Sequence, residues 1–137
     1  MKKRRLPDFI IIDDDPINNM VCNRIIQLTI DEAIVNAFTE PTDGLEFMLN
    51  TYSGDDANDA VLFLDINMPL NGWEVLDMIE GFPEVVKGRI KIFMLSSSVN
   101  PSDKEKAGSN PLVSGYIPKS LSQEKLKEFF PDMVKTE

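Results

Sequence analysis

The side chains in this chain that could do chemistry are carboxylates, hydroxyls and lysines, because histidine is absent. A histidine phosphocarrier, a histidine general base and a histidine-ligated zinc site are excluded on that ground. Four places stand out, each beside the end of an apolar run. Asp13, Asp14 and Asp15 follow Phe9–Ile12, and Asp65 follows Ala60–Leu64. Ser96, Ser97 and Ser98 follow Ile90–Leu95, and Lys119 lies just past Leu112–Ile117. Helix capping explains part of the acidic triplet, since Asp15 followed by Pro16 fits an N-cap with proline at the first helical position. Asp13 and Asp14 are left over. Carboxylates forced together repel, which raises a pKa or costs stability unless a cation is near. Joined by Asp65, and completed by a backbone carbonyl and water, they suit a hard octahedral ion such as Mg²⁺. A phosphoryl oxygen can fill the last position, and Asp65 can then attack phosphorus as a nucleophile. Such a transfer spreads negative charge over the equatorial oxygens. Lys119 can bind one of them and the Ser96 hydroxyl another. Alone, a lysine is usually a solvated side chain and strand-end serines usually form a turn; the joint placement carries the reading. An acidic loop after the first run also argues against a flavin or nucleotide phosphate there, because a phosphate loop is rich in Gly, Ser or Thr.

These residues need elements to bring them together. Short apolar runs alternate with segments of helical period along the whole chain. Asp8–Ile12 reads as the first strand. Ile17, Met20, Val21, Ile25 and Leu28 recur at helical spacing and predict a first helix. Ala33–Phe38 reads as the second strand, and Leu45, Met48, Leu49 and Tyr52 as the next helix face. Ser53–Asp59 is a polar loop. Ala60–Leu64 is almost purely apolar, which fits a central strand covered on both sides. Trp73, Val75, Leu76 and Ile79 give a third helix, and Ile90–Leu95 a fourth strand. Pro101–Ser109 predicts a very polar fourth helix with Ala107 as its apolar anchor. Leu112–Ile117 is the fifth strand. Leu126, Phe129, Phe130 and Met133 predict a fifth helix that Pro131 should kink or shorten. Strand–helix alternation of this kind means an α/β fold, a parallel sheet with helices on both faces. Its working site is expected at the carboxyl ends of the strands, near the topological switch point.

The 137 residues fit a single domain over residues 1–137, with a core of about 8–131 and a basic tail at 1–7. The net charge of −9 argues against nucleic acid or an anionic membrane as a partner. Lys2, Lys3, Arg4 and Arg5 read as a solvated terminus, and no run reaches the length of a membrane span. Cys22 is the one cysteine, so no internal disulfide forms, and its place in a helical pattern makes it a small buried hydrophobe. A cytoplasmic protein is expected.

The strings FIIIDDDPIN, LFLDINMPLNGWEVL, IFMLSSS and GYIPKS resemble the receiver domain of bacterial two-component response regulators, of the chemotaxis-regulator type. The resemblance runs over roughly residues 8–131. It implies a flavodoxin-like, doubly wound (βα)₅ fold with strand order 2-1-3-4-5. It makes Asp13 and Asp14 the acid pocket, with Asp14 the more direct Mg²⁺ ligand, and Asp65 the phosphoacceptor. It has Asn67 giving its backbone carbonyl to the metal, Ser96 as the switch hydroxyl, Lys119 as the phosphate-binding lysine and Tyr116 as the aromatic switch. The donor it implies is a histidine kinase, a histidine phosphotransfer protein or a small phosphodonor. Phosphorylation in the family changes the partners of the surface made by helix four, strand five and helix five. Two departures are visible. Lys119-Ser120 stands where Lys-Pro is usual; the inherited backbone favours a cis bond there, at a cost of about 3–4 kcal/mol. MPLNG is one residue shorter than the usual segment, so a tighter loop after Asp65 is expected.

Two other functions compete. A Mg²⁺-dependent phosphatase with an aspartate nucleophile needs a second aspartate two residues on, and Asn67 cannot shuttle a proton. A receiver-like module that binds partners without ever being phosphorylated would need none of the chemical residues, and all of them are present. Within the receiver reading no sequence is left for an attached effector domain, so output is expected on the domain's own surface. Output protein and phosphorelay intermediate are equally compatible with the residues.

Overall fold

The computed structural model describes residues 6–97, 101–119 and 121–134. Among them run β1 (Asp8–Ile12), α1 (Pro16–Thr29), β2 (Val35–Phe38), α2 (Pro41–Thr51), β3 (Ala60–Asp65) and α3 (Gly72–Glu80). Then follow α4 (Glu84–Lys87), β4 (Ile90–Ser96), α5 (Pro101–Ser109), β5 (Val113–Pro118) and α6 (Gln123–Phe129). The strands form one five-stranded, all-parallel sheet in the order β2-β1-β3-β4-β5. The short α4 was not expected from sequence, so the helices expected as fourth and fifth are α5 and α6.

Alternation along β1 shows why the stretch Phe9–Ile12 has no polar positions. Phe9 and Ile11 pack with Cys22 and Ile26 of α1 and Leu126 of α6, while Ile10 and Ile12 pack with Leu45 and Met48 of α2. Both faces of the strand are covered, so both must be apolar. β3 is buried at every residue. On the α1–α6 side the filling is aromatic: Phe130 meets Phe9, Phe63 and Phe93 edge-on, the arrangement that ring quadrupoles favour.

The first helix is where the sequence reading needs correcting. Its span is as expected, with Asp15 as N-cap accepting from the Ile17 amide at 2.9 Å and Pro16 opening the helix. The apolar stripe that predicted it is not the face turned to the sheet. Ile17, Met20, Val21 and Leu28 are exposed, Ile25 is half-buried, and Asn19, Cys22, Ile26 and Thr29 face the sheet. The larger apolar side chains define a regular stripe, but the stripe that covers the sheet lies about 140° further round and contains two polar residues. The burial of Cys22 is as expected.

The remaining elements follow the pattern closely. α5 is polar and buries only Ala107. α6 stops at Phe129, two residues before Pro131, whose ring forbids a further turn. β5 is an edge strand, which tolerates Pro118 at its end. β2 begins at Val35, two residues later than expected. The basic head at Lys2–Arg5 and the Lys119–Ser120 bond lie outside the described residues. Among the described residues no helix is long and apolar enough to cross a membrane.

Candidate functional site

The parallel register delivers four strand ends to one crevice. β1 runs alongside β3 with Ile12 opposite Leu64, so Asp13 and Asp65 leave the sheet side by side. β3 pairs with β4 through Asp65 and Leu95, and β4 with β5 through Ser96 and Pro118. Ser96 therefore stands one residue past the level of Asp65 on the next strand, and Lys119 two residues past it on the one after. The Lys119 amide donates to the Ser96 carbonyl at 2.7 Å, which fixes where the lysine starts.

Asp13, Asp14 and Asp65 each offer a carboxylate oxygen, and these oxygens lie within 4.8 Å of one another. Asp13 and Asp65 are buried and Asp14 is exposed, so the cluster has a closed floor and an open mouth. Lys119 Nζ sits 3.0 Å from Asp13 Oδ2 and 3.1 Å from Asp65 Oδ1. The Asp15 amide donates to Asp13 Oδ1 at 2.9 Å, and the Asn67 amide to Asp65 Oδ1 at 3.1 Å. Burial raises the Asp65 pKa, and the neighbouring Asp13 charge adds to it; Lys119 and the Asn67 amide offset only part. For Lys119 burial acts to lower the pKa, but Asp13 and Asp65 together hold it above the ordinary lysine value. Lys119 pairs with two of the three carboxylates in the cluster. The cluster thus keeps an excess of negative charge on hard oxygen donors, which is the donor set a small divalent cation takes.

The tight loop after Asp65 is closed by the backbone. The Met68 and Gly72 amides both donate to the Ile66 carbonyl, at 3.2 and 3.0 Å. Gly72 is required there: a Cβ would lie 2.7 Å from the Asp65 carbonyl oxygen, well inside contact distance. Asn71 then caps α3 by accepting from the Glu74 amide at 3.0 Å. Asn67 itself is exposed, and its side-chain amide donates to Ser97 Oγ at 3.3 Å across the mouth. Ser96 is buried at the end of β4. Tyr116 sits on β5 opposite Met94, half-buried against the α2–α5 side of the core. Of the residues singled out from sequence, Asp13, Asp14, Asp65 and Lys119 meet directly, Ser96 and Asn67 border them, and Tyr116 stands further along β5.

Two residues near the site were missed from sequence. Nothing local in the sequence marks Gly72 out; only the approach of the Asp65 carbonyl shows its use. Asn19 is the other. It is buried on α1, and its side-chain amide donates to the Asp13 carbonyl at 3.0 Å and to the Phe38 carbonyl at 3.3 Å. A polar residue at the inner spacing of Cys22 and Ile26 was the available signal.

The family described as "Response regulator receiver domain" matches residues 9–130. The chain belongs to that family. A response regulator receiver protein from Dyadobacter fermentans DSM 18053 is 32% identical, with a TM-score of 0.79 over 91% of this chain and 98% of that one. A two component response regulator from Cytophaga hutchinsonii is 26% identical, with a TM-score of 0.81 over 95% and 98%. The bacteriophytochrome response regulator AtBRR, at 21% identity and a TM-score of 0.72, shares the fold. No curated protein matches the chain at a significant level. The family and the strand order 2-1-3-4-5 are those the sequence strings implied.

Proposed function

We propose that this chain is a phosphoacceptor of a two-component or phosphorelay system, taking a phosphoryl group on Asp65 with Mg²⁺ bound by Asp13, Asp14, Asp65 and the Asn67 carbonyl. The observation that carries this reading is the convergence of three carboxylate oxygens within 4.8 Å, with Lys119 Nζ 3.1 Å from Asp65. Bound Mg²⁺ would supply positive charge for the phosphoryl oxygens. The rest falls to the protein's own groups. Lys119 and the Asn67 amide both hold Asp65 Oδ1, which leaves Oδ2 to attack phosphorus. The P–N bond of a phosphohistidine donor breaks as the O–P bond forms, and the imidazole leaves with the electron pair. Lys119, bridging Asp13 and Asp65 at the floor, meets one equatorial oxygen, and the Ser96 hydroxyl another. Burial keeps Asp65 poorly solvated, so little water has to be stripped before attack.

A protein donor suits the rim of this site. Ile17, Met20, Val21 and Leu28 leave an exposed apolar stripe along α1, and its N-terminal end is tied to Asp15 beside Asp13. An apolar stripe next to the acceptor supports docking of a histidine kinase or histidine phosphotransfer protein there. Asp65 labelling is expected with acetyl phosphate as a small donor, wholly dependent on Mg²⁺ and lost with EDTA. The bond should be labile to hydroxylamine, as an acyl phosphate is. Absence of label under these conditions would favour the unphosphorylated interaction module instead.

The output surface in this reading is α5, β5 and α6. α5 is held to the core by Ala107, with Lys106 set over the Trp73 ring at 5.0 Å. One small anchor and one cation–π contact make an element that opens at low cost. On adding a phosphoryl mimic with Mg²⁺, amide NMR shifts should extend from the metal pocket to α5 and Tyr116. Shifts confined to Asp13, Asp14, Asp65 and their neighbours would sink the proposed switch.

A further inference from the structure

We propose that Asn19 is a positioning residue: its buried side-chain amide fixes the main chain of Asp13 so that the Asp13 carboxylate stays aimed into the cation site. The inference rests on the phosphoacceptor reading above and adds to it a residue outside the acidic cluster.

Asp13 is clamped on every side by groups of fixed origin. Its amide donates to the Phe38 carbonyl at 3.1 Å, so β2 holds one side of the residue. Its carboxylate accepts from the Asp15 amide and from Lys119. Its carbonyl oxygen accepts from the Asn19 side chain at 3.0 Å. Asp13 sits past the last residue of β1, where ladder hydrogen bonds end and the chain must turn into α1. Without Asn19 the peptide plane after Asp13 would lose the hydrogen bond that holds its carbonyl. Rotation of that plane swings the Asp14 backbone as well, and both carboxylates with it.

The amide is committed to this task. Both of its donor contacts go to backbone carbonyls, those of Asp13 and Phe38. Reversing it would press Oδ1 against two carbonyl oxygens, so its orientation is fixed. Oδ1 is buried with no hydrogen-bond partner. A buried acceptor left unsatisfied is unfavourable, and a simple core position would be better filled by an aliphatic residue such as those at Ile26 and Ile30 on the same side of the sheet. The loss is offset only by something the two donors achieve, and what they hold is the chain at Asp13.

A structural clasp between α1 and β2 would show as lost stability alone; a positioning role shows as weaker Mg²⁺ binding beyond what lost stability explains. Mg²⁺ is titrated by calorimetry into wild type, Asn19→Ala and Ile26→Ala, with melts of each in EDTA. Ile26 is fully buried on the same helix, so its truncation destabilises α1 without touching Asp13. Asn19→Ala should weaken Mg²⁺ binding about tenfold, the usual scale for losing a partner that orients a metal ligand. Ile26→Ala, although at least as destabilising, should stay within about twofold of wild type. Asn19→Ser, which keeps one short donor, should fall between, and it replaces Asn19→Ala, against Ile26→Val, if the alanine variant does not fold. Equal Mg²⁺ affinity for the Asn19 and Ile26 variants would overturn the proposal while leaving the phosphoacceptor reading intact. Failure of the wild-type protein to bind Mg²⁺ would overturn that reading itself.

Discussion

Asp65→Asn abolishes phosphoryl labelling and, in the metal-free protein, raises the melting temperature. The first effect follows from the proposed chemistry: an amide oxygen is no nucleophile towards phosphorus at neutral pH, and no other carboxylate in the cluster holds the same place. Label should fall to background with the circular dichroism spectrum unchanged. The second effect follows from the position of Asp65 in the fold. Its carboxyl is buried 1% exposed beside Asp13, and its pKa is raised by that burial and by the Asp13 charge. A raised carboxyl pKa means the native state binds the proton more tightly than the unfolded state, so stability falls as pH rises through the native value. Asparagine carries no such charge. The variant should therefore match wild type in acid and pull ahead as pH rises, by on the order of 1 kcal/mol, or about 4 °C, at neutral pH. Saturating Mg²⁺ should erase the difference, because it stabilises only the protein that retains the full carboxylate set. A variant less stable than wild type in EDTA at neutral pH would show that the Lys119 pair outweighs the burial and repulsion.

Removal of Lys119 acts in the opposite direction. The ammonium bridges Asp13 and Asp65 at 3.0 and 3.1 Å. Lys119→Ala leaves two buried carboxylates facing each other uncompensated, which should cost about 3 kcal/mol in EDTA. The lysine proton is held more tightly in the fold than in the unfolded chain. Its contribution is thus fully present at neutral pH and is lost only as pH rises through the raised value. Phosphotransfer should slow by about 10²–10³-fold, the scale for deleting one group that meets developing negative charge. Because the vacated pocket is more negative, Mg²⁺ should raise the melting temperature of the variant more than that of wild type. An unchanged rate of labelling would remove Lys119 from the transfer, whatever its part in stability.

The two experiments differ in sign because the same cluster is strained by its carboxylates and relieved by its lysine. That balance was not legible in the sequence. What the sequence did reveal was the set of strand ends. Apolar runs without polar alternation at Phe9–Ile12, Ala60–Leu64 and Ile90–Leu95 can only be strands covered on both faces, and a strand–helix repeat can only close as a parallel sheet. In such a sheet the residue after each run must arrive at the same edge, so Asp13, Asp65, Ser96 and Lys119 could be grouped before any coordinates. The polar α5 with Ala107 as anchor and the stop of α6 ahead of Pro131 were equally local, set by side-chain polarity and by a ring that forbids a further turn.

Tertiary structure decided what depends on neighbours distant in sequence. The inner face of α1 is one case. Ile17, Met20, Val21 and Leu28 make the more regular stripe, yet Asn19, Cys22, Ile26 and Thr29 face the sheet, because the entry angle of the helix is set by the Asp15 cap and by the grip of Asn19 on the ends of β1 and β2. Gly72 is another: its need for hydrogen in place of a side chain comes from the Asp65 carbonyl seven residues back, brought near by the turn between them. The protonation balance of Asp65 and Lys119 is the third, since burial and ion pairing are properties of the folded crevice and of no single residue in the chain.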